Sequence, residues 1–143
     1  MRALKVYLAA PFQMKDEIKA RVELLRSFGI EVTSTWVDEP HKASIQLKDL
    51  SPETHLKYAT ADVQDIVAAD MLILQDDPTI VRAGRHVEFG VAIGLGLTRP
   101  YPIFVVGPIR ANIFHYLSQV YHFETWEEIV QRLQTLAKIG VQE

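Results

Sequence analysis

Two short stretches of this chain are apolar at consecutive positions, not at alternate ones: Leu4 to Ala10, charged only at Lys5, and Met71-Leu72-Ile73-Leu74. A strand that is apolar on both faces has to be covered on both, and such strands belong to parallel sheets enclosed between helices. The segments between them read as the required helices. Lys15 to Phe28 carries Ile18, Val22 and Leu25 at helical spacing and stops at Gly29. Ser51-Pro52 supplies a cap and a proline at the first helical position of a helix expected over Pro52 to Ala69. Ala59, Val63, Ile66 and Val67 are expected on its buried side.

The remaining elements follow in the same way. Ile30 to Trp36 is β-branched and reads as a second strand. Arg85 to Leu95 reads as a helix that tolerates Gly90 for close packing and ends at Gly94 and Gly96. Pro102 to Val106 and Val120 to Phe123 read as the fourth and fifth strands. Thr125-Trp126-Glu127-Glu128 is a capping box opening a last helix with Ile129, Val130, Leu133, Leu136 and Ala137 on one face. This alternation predicts one α/β domain spanning 1–143, a flavodoxin-like or Rossmann-like three-layer sandwich. Its five-stranded, mainly parallel sheet has the expected order 2-1-3-4-5. The aperiodic stretch Val37 to Leu50, with Asp38, Pro40, His41 and Lys42, is expected to be a lid or binding loop.

Composition narrows the function. With 48% hydrophobic and 23% charged residues, the 143-residue chain reads as soluble and globular. A formal charge of −3 gives no basic field for nucleic acid. The absence of cysteine excludes disulfides and thiolate catalysis. No apolar run approaches the ~18 residues of a membrane span, and the N-terminus lacks a cleavable apolar leader, so a cytoplasmic protein is expected. The histidines His41, His55, His86, His115 and His122 show no metal-ligand spacing. No dinucleotide fingerprint or phosphate loop is present, and neither a metal nor a cofactor is expected.

In an open α/β sheet, ligands bind beyond the carboxyl ends of the strands at the switch point, here between the first and third strands. Two segments converge there: Ala9-Ala10-Pro11-Phe12, and the loop leading into Gly84-Arg85-His86-Val87-Glu88-Phe89-Gly90. Glu88, expected in the first turn of its helix, would be held ionised by backbone amides and suits a nucleophile. A carboxylate there is also simply good helix design. Asp62 lies mid-helix, where aspartate has poor propensity, and Asp65 and Asp70 compete with it as the second acid. Tyr7 needs a partner for a buried hydroxyl. Phe12 and Trp36 fall at strand ends, where they would stack on a planar ligand or fill core.

Val6-Tyr7-Leu8-Ala9-Ala10-Pro11-Phe12, then Asp62 eight residues before Asp70-Met71-Leu72, then Gly84-x-x-x-Glu88-x-Gly90 resemble the nucleoside 2-deoxyribosyltransferases. The resemblance covers most of the chain. It implies that Glu88 attacks C1′ of a 2′-deoxynucleoside, that Asp62 assists proton transfer to the leaving base, and that Tyr7 orients Glu88. Gly84 and Gly90 would then be backbone devices that expose the carboxylate, and Ala9 would bound the room for a ribose 2′-hydroxyl. The substrates implied are 2′-deoxynucleosides and free nucleobases, and the assembly a homo-oligomer, a dimer or hexamer. Hydrolysis of deoxynucleosides or their 5′-monophosphates is the alternative outcome, and a non-catalytic nucleotide sensor a third reading. The chain departs from the family where Arg82 stands in place of an acid, for which Asp76 or Asp77 is the substitute. Asn112 or Gln119 is the nearest match to an asparagine that crosses between subunits, and Asn112, His115 and Tyr116 are expected to reach the sugar or a partner's site. The tail Gly140-Val141-Gln142-Glu143 does not match.

Overall fold

The computed structural model describes residues 1–40 and 45–142. His41 and Lys42, from the expected loop, lie outside the described residues. The apolar runs form β1 (Lys5–Ala9), β3 (Met71–Gln75) and β4 (Ile103–Val106), flanked by β2 (Glu31–Val32) and β5 (Val120–Phe123). The sheet order is β2-β1-β3-β4-β5, and every pair is parallel. Tyr7 pairs with Leu72 and Ala9 with Leu74 across the central seam. The fold is thus the five-stranded α/β sandwich that the sequence predicts.

Four helices complete it: α1 (Lys15–Ser27), α2 (Pro52–Ala68), α3 (Gly84–Leu95) and α4 (Trp126–Ile139). The chain moves one way along the sheet from β1 to β2 and the other way from β2 to β3. Right-handed crossovers therefore place α1 and α2 on opposite faces. On one side Arg21 of α1 lies 5.3 Å over the ring of Trp126 in α4. The core fills both layers, with Leu8, Leu25, Ile66, Leu72, Ile73, Ile103, Ile129 and Leu133 all fully buried. Ser51 caps α2 by accepting from the amide of Thr54 at 3.1 Å, and Thr125 caps α4 by accepting from Glu128.

Several local expectations are corrected. β2 ends at Val32, and the chain turns at Thr35–Asp38 into a 3-10 helix. The hydroxyl of Thr33 donates to the carbonyl of Asp65 at 2.8 Å, and Thr35 donates to the Asp65 carboxylate through its amide at 3.0 Å and its hydroxyl at 2.6 Å. Those bonds to α2 draw the segment off the sheet and place Trp36 in the turn. On α2 itself Ile66 is fully buried, whereas Ala59 is exposed and Val63 and Val67 keep 45% and 44% of their surface. The inward face is instead the row His55, Tyr58, Asp62, Asp65 and Ile66. Helix α3 continues through Gly94, and Gly96 is its cap. A side chain at Gly90 would meet nothing within 4 Å, so close packing does not account for this glycine.

Candidate active site

A cavity of about 350 Å³ opens beyond the carboxyl ends of β1 and β3. Ala10, Pro11 and Phe12 form one wall, Arg82 to Arg85 and Glu88 the second, and Trp36, Glu39, Tyr58 and Asp62 the third. The structure therefore brings Glu88, Asp62, Phe12, Trp36 and Gly84 to one space. Tyr7 is fully buried beneath it, and its hydroxyl donates to Oε2 of Glu88. Trp36 is fixed by its indole N–H, which donates to the Leu8 carbonyl at 2.7 Å, and its ring sits 6.0 Å from that of Phe12 at a 50° tilt.

Glu88 does not occupy the helix's first turn. Helix α3 begins at Gly84, and the amides of His86 and Val87 already point back to the Ala83 carbonyl at 2.9 and 3.4 Å. The unpaired amides of a helix start are confined to that first turn, so they do not hold Glu88 ionised. Burial instead pushes its carboxyl up to about 8. The Tyr7 hydroxyl acts in the other direction, because an O–H donor favours the charged form.

Asp62 is also raised, to about 7, by burial first and then by the charges of Glu39 and Asp65. Its Oδ1 is buried and has no hydrogen-bond partner among the described residues. Of its competitors, Asp65 is occupied by Thr35, and Asp70 receives both ends of the Arg2 guanidinium (2.8 and 2.6 Å) and the Lys5 amide (2.8 Å). Neither lines the cavity.

The loop between β3 and α3 is built around Arg85. Its guanidinium is buried and pairs with Asp76 at 3.1 Å, each side chain keeping 1% exposure. It also donates to the carbonyls of Asp77 and Ile80 at 3.0 Å each, and to that of Arg82. The acid expected to substitute at the cavity is therefore not available there: Asp76 is held by Arg85, and Asp77 accepts from the Thr79 amide at 2.9 Å and hydroxyl at 2.6 Å. Arg82 itself lines the cavity and donates to the Ile45 carbonyl at 2.9 Å. Gly84 needs no special backbone: its φ is not positive, and an added Cβ would meet nothing within 4 Å.

The remaining candidates lie outside this cavity. Ala9 points into the core at 1% exposure, and Ala10 takes the wall position. The connection from β4 to β5 turns through a 3-10 helix at Ile113–Tyr116, capped by Asn112, which accepts from the Phe114 amide at 2.9 Å. His115 is buried edge-on against Phe89 at 5.3 Å, and Tyr116 is exposed beneath the Arg110 guanidinium at 4.8 Å. Gln119 donates to the Tyr101 carbonyl at 3.0 Å and occupies the space over Gly96. In the other direction, the structure adds Glu39, Tyr58 and Arg85, which the sequence reading passes over. Among the described residues, no group of three or more acidic or histidine side chains is placed to hold a metal, and no helix is long and apolar enough to cross a membrane.

Comparison with solved structures bears on this arrangement. A 2-deoxyribosyltransferase from Bacillus psychrosaccharolyticus superposes with a TM-score of 0.66 at 21% identity, over 88% of this chain and 90% of that one. The two share one fold. A CMP N-glycosidase from Clostridium botulinum matches with a TM-score of 0.58 at 22% identity, over 92% and 98% of the two chains. A conserved protein from Enterococcus faecalis V583 matches at 0.61 and 18% identity, over 93% and 98%. By sequence, no family model and no curated protein matches the chain. The fold is thus shared with a deoxyribosyltransferase and an N-glycosidase.

Proposed function

We propose that this chain transfers the 2-deoxyribosyl group between nucleobases through a covalent ester on Glu88. The observation that carries the reading is the pairing of Glu88 with the Tyr7 hydroxyl at a cavity shared with Asp62. The reacting form is the one with Glu88 ionised and Asp62 protonated: an oxygen of Glu88 bonds to C1′ while the C1′–N bond breaks. The bonding pair leaves with the base nitrogen, and protonated Asp62 supplies the proton the base needs. The transition state is oxocarbenium-like, as in retaining glycosidases. An acceptor base then attacks C1′ and yields its proton to Asp62, which regenerates Glu88. Water in place of the base gives hydrolysis.

Incubation with deoxycytidine or thymidine and adenine tests this reading, with deoxyadenosine as the transfer product and free deoxyribose as the hydrolytic one. Deoxyribose alone would replace transfer by hydrolysis, and neither product would reject both. Replacing Asp62 by Asn is expected to slow base departure by about 10²–10³-fold for poor leaving bases and least for good ones. An equal loss for all bases would argue against proton relay.

Arg82 favours a second reading, hydrolysis of a 5′-monophosphate. It is a cation on the cavity wall without a carboxylate partner among the described residues, and guanidinium suits phosphate. The turn Ala9-Ala10-Pro11-Phe12 is poor in donors, which favours free nucleosides. Comparing kcat/KM for dCMP and deoxycytidine in the wild type and Arg82→Gln separates the two. A homo-oligomer belongs to the same proposal, with Leu56, Val63 and Val67 aligned and exposed on α2 as its apolar face. Sedimentation of a monomer at micromolar concentration would exclude it.

A further inference from the structure

Glu39 is a second acidic side chain on the wall that carries Asp62, and the transfer chemistry has no use for it. It follows the 3-10 turn Thr35–Asp38, with its amide bonded to the Trp36 carbonyl at 3.2 Å. That turn is bolted to α2 by the three bonds from Thr33 and Thr35 to Asp65, and Lys15 donates to the carbonyl of Glu39. The segment bearing Glu39 is thus tied to the helix bearing Asp62. The rings of Phe12 and Trp36 lie beside them, with the ammonium of Lys15 5.3 Å from the Phe12 centroid. A planar heterocycle in the cavity would share it with these rings and with the two carboxyl groups.

The two carboxyls differ in their neighbours. Asp62 has an unpartnered buried oxygen, and burial first, then the charges of Glu39 and Asp65, disfavour its charged form. Burial raises the Glu39 carboxyl above its ordinary range, and the charge of Lys15 beside it opposes that rise. Of the two, Glu39 is the one with a cation beside it. An ionised carboxylate only accepts hydrogen bonds, whereas a protonated one donates.

We propose that Glu39 is a specificity-determining residue that accepts an N–H of the base's exocyclic amino group, so that the cavity takes amino-bearing bases such as cytosine and adenine in preference to uracil and hypoxanthine. An oxo group at that position sets one acceptor against another and leaves a half-buried carboxylate unpaired. Such a mismatch costs about 10- to 100-fold in binding. The inference rests on the proposed reading that a nucleobase occupies this cavity.

The test uses the intact protein and its Glu39→Gln variant, each first checked for an unchanged melting temperature. Calorimetry measures binding of free cytosine against uracil and of adenine against hypoxanthine. Turnover is measured for deoxycytidine against deoxyuridine and for deoxyadenosine against deoxyinosine. The wild type is expected to favour the amino member of each pair by at least about tenfold, and Glu39→Gln, whose amide both donates and accepts, to bring the ratios within about threefold. Equal binding of cytosine and uracil by the wild type, or a preference that survives Glu39→Gln, overturns the assignment. Preferential base binding that depends on Glu39, without turnover of any nucleoside, supports the assignment and overturns the transfer reading instead.

Discussion

Asp76 and Glu88 flank the same loop, and both are withdrawn from water, yet their surroundings are opposite. Asp76 faces a buried guanidinium that also gathers three loop carbonyls. Glu88 faces a neutral phenol and an open cavity. A carboxylate matched by a cation is a structural fixture, because its charge is already compensated. One given only a neutral donor has no such partner, which is the property that the proposed attack on C1′ calls for. The loop thus uses one acid to hold its shape and leaves the other facing the cavity.

Substitution of either acid or its surroundings tests this opposition. Glu88→Ala is expected to lower kcat/KM by about 10⁴-fold or more and to abolish the sugar–protein adduct by mass spectrometry. An adduct that survives would move the nucleophile elsewhere. Arg85→Met leaves Asp76 buried without its cation, and urea denaturation is expected to show a loss of about 3–5 kcal/mol. A loss under 1 kcal/mol would mean that the pair is not structural.

Smaller effects sharpen the contrast. Tyr7→Phe removes the donor that favours ionised Glu88, so the acid limb of the kcat/KM profile should move to higher pH. Activity near pH 6 should then fall by about tenfold, and less at pH 8. An unmoved limb would deny the tyrosine its orienting and tuning role. The last effect is on stability. A carboxyl raised from 4.5 to about 8 contributes stability that is complete below its ordinary value and is lost as pH rises toward 8. Glu88→Gln cannot titrate, so its melting temperature should fall less between pH 6 and 9 than that of the wild type, by a few degrees. Parallel curves would place the Glu88 titration outside this range.

The central strands were legible because consecutive apolar residues admit few other readings. β2 was overdrawn because Thr33 and Thr35 look like strand residues until Asp65, far along the chain, claims their hydroxyls. Helix α2 misled for an instructive reason. A helix is normally oriented by its apolar stripe, but α2 turns a polar row inward because that row borders a cavity. Asp62 stands out by its poor propensity in mid-helix and by the resemblance to the deoxyribosyltransferases; Tyr58 and Glu39 have only ordinary positions in a helix and an aperiodic loop. Asn112, His115, Tyr116 and Gln119 follow the correct strand, but the turn capped by Asn112 sets His115 against Phe89, Gln119 over Gly96 and Tyr116 in the open, none of them at the cavity.

The early end of β2 also affects the protein's behaviour among its own copies. A sheet's outer strand offers a row of unused amides and carbonyls on which another chain can assemble. Here that row is only Glu31–Val32, and Glu31 adds an exposed charge before the backbone coils away. The bonds that draw the Trp36 turn toward the cavity therefore also leave this margin too short to seed cross-strand aggregation.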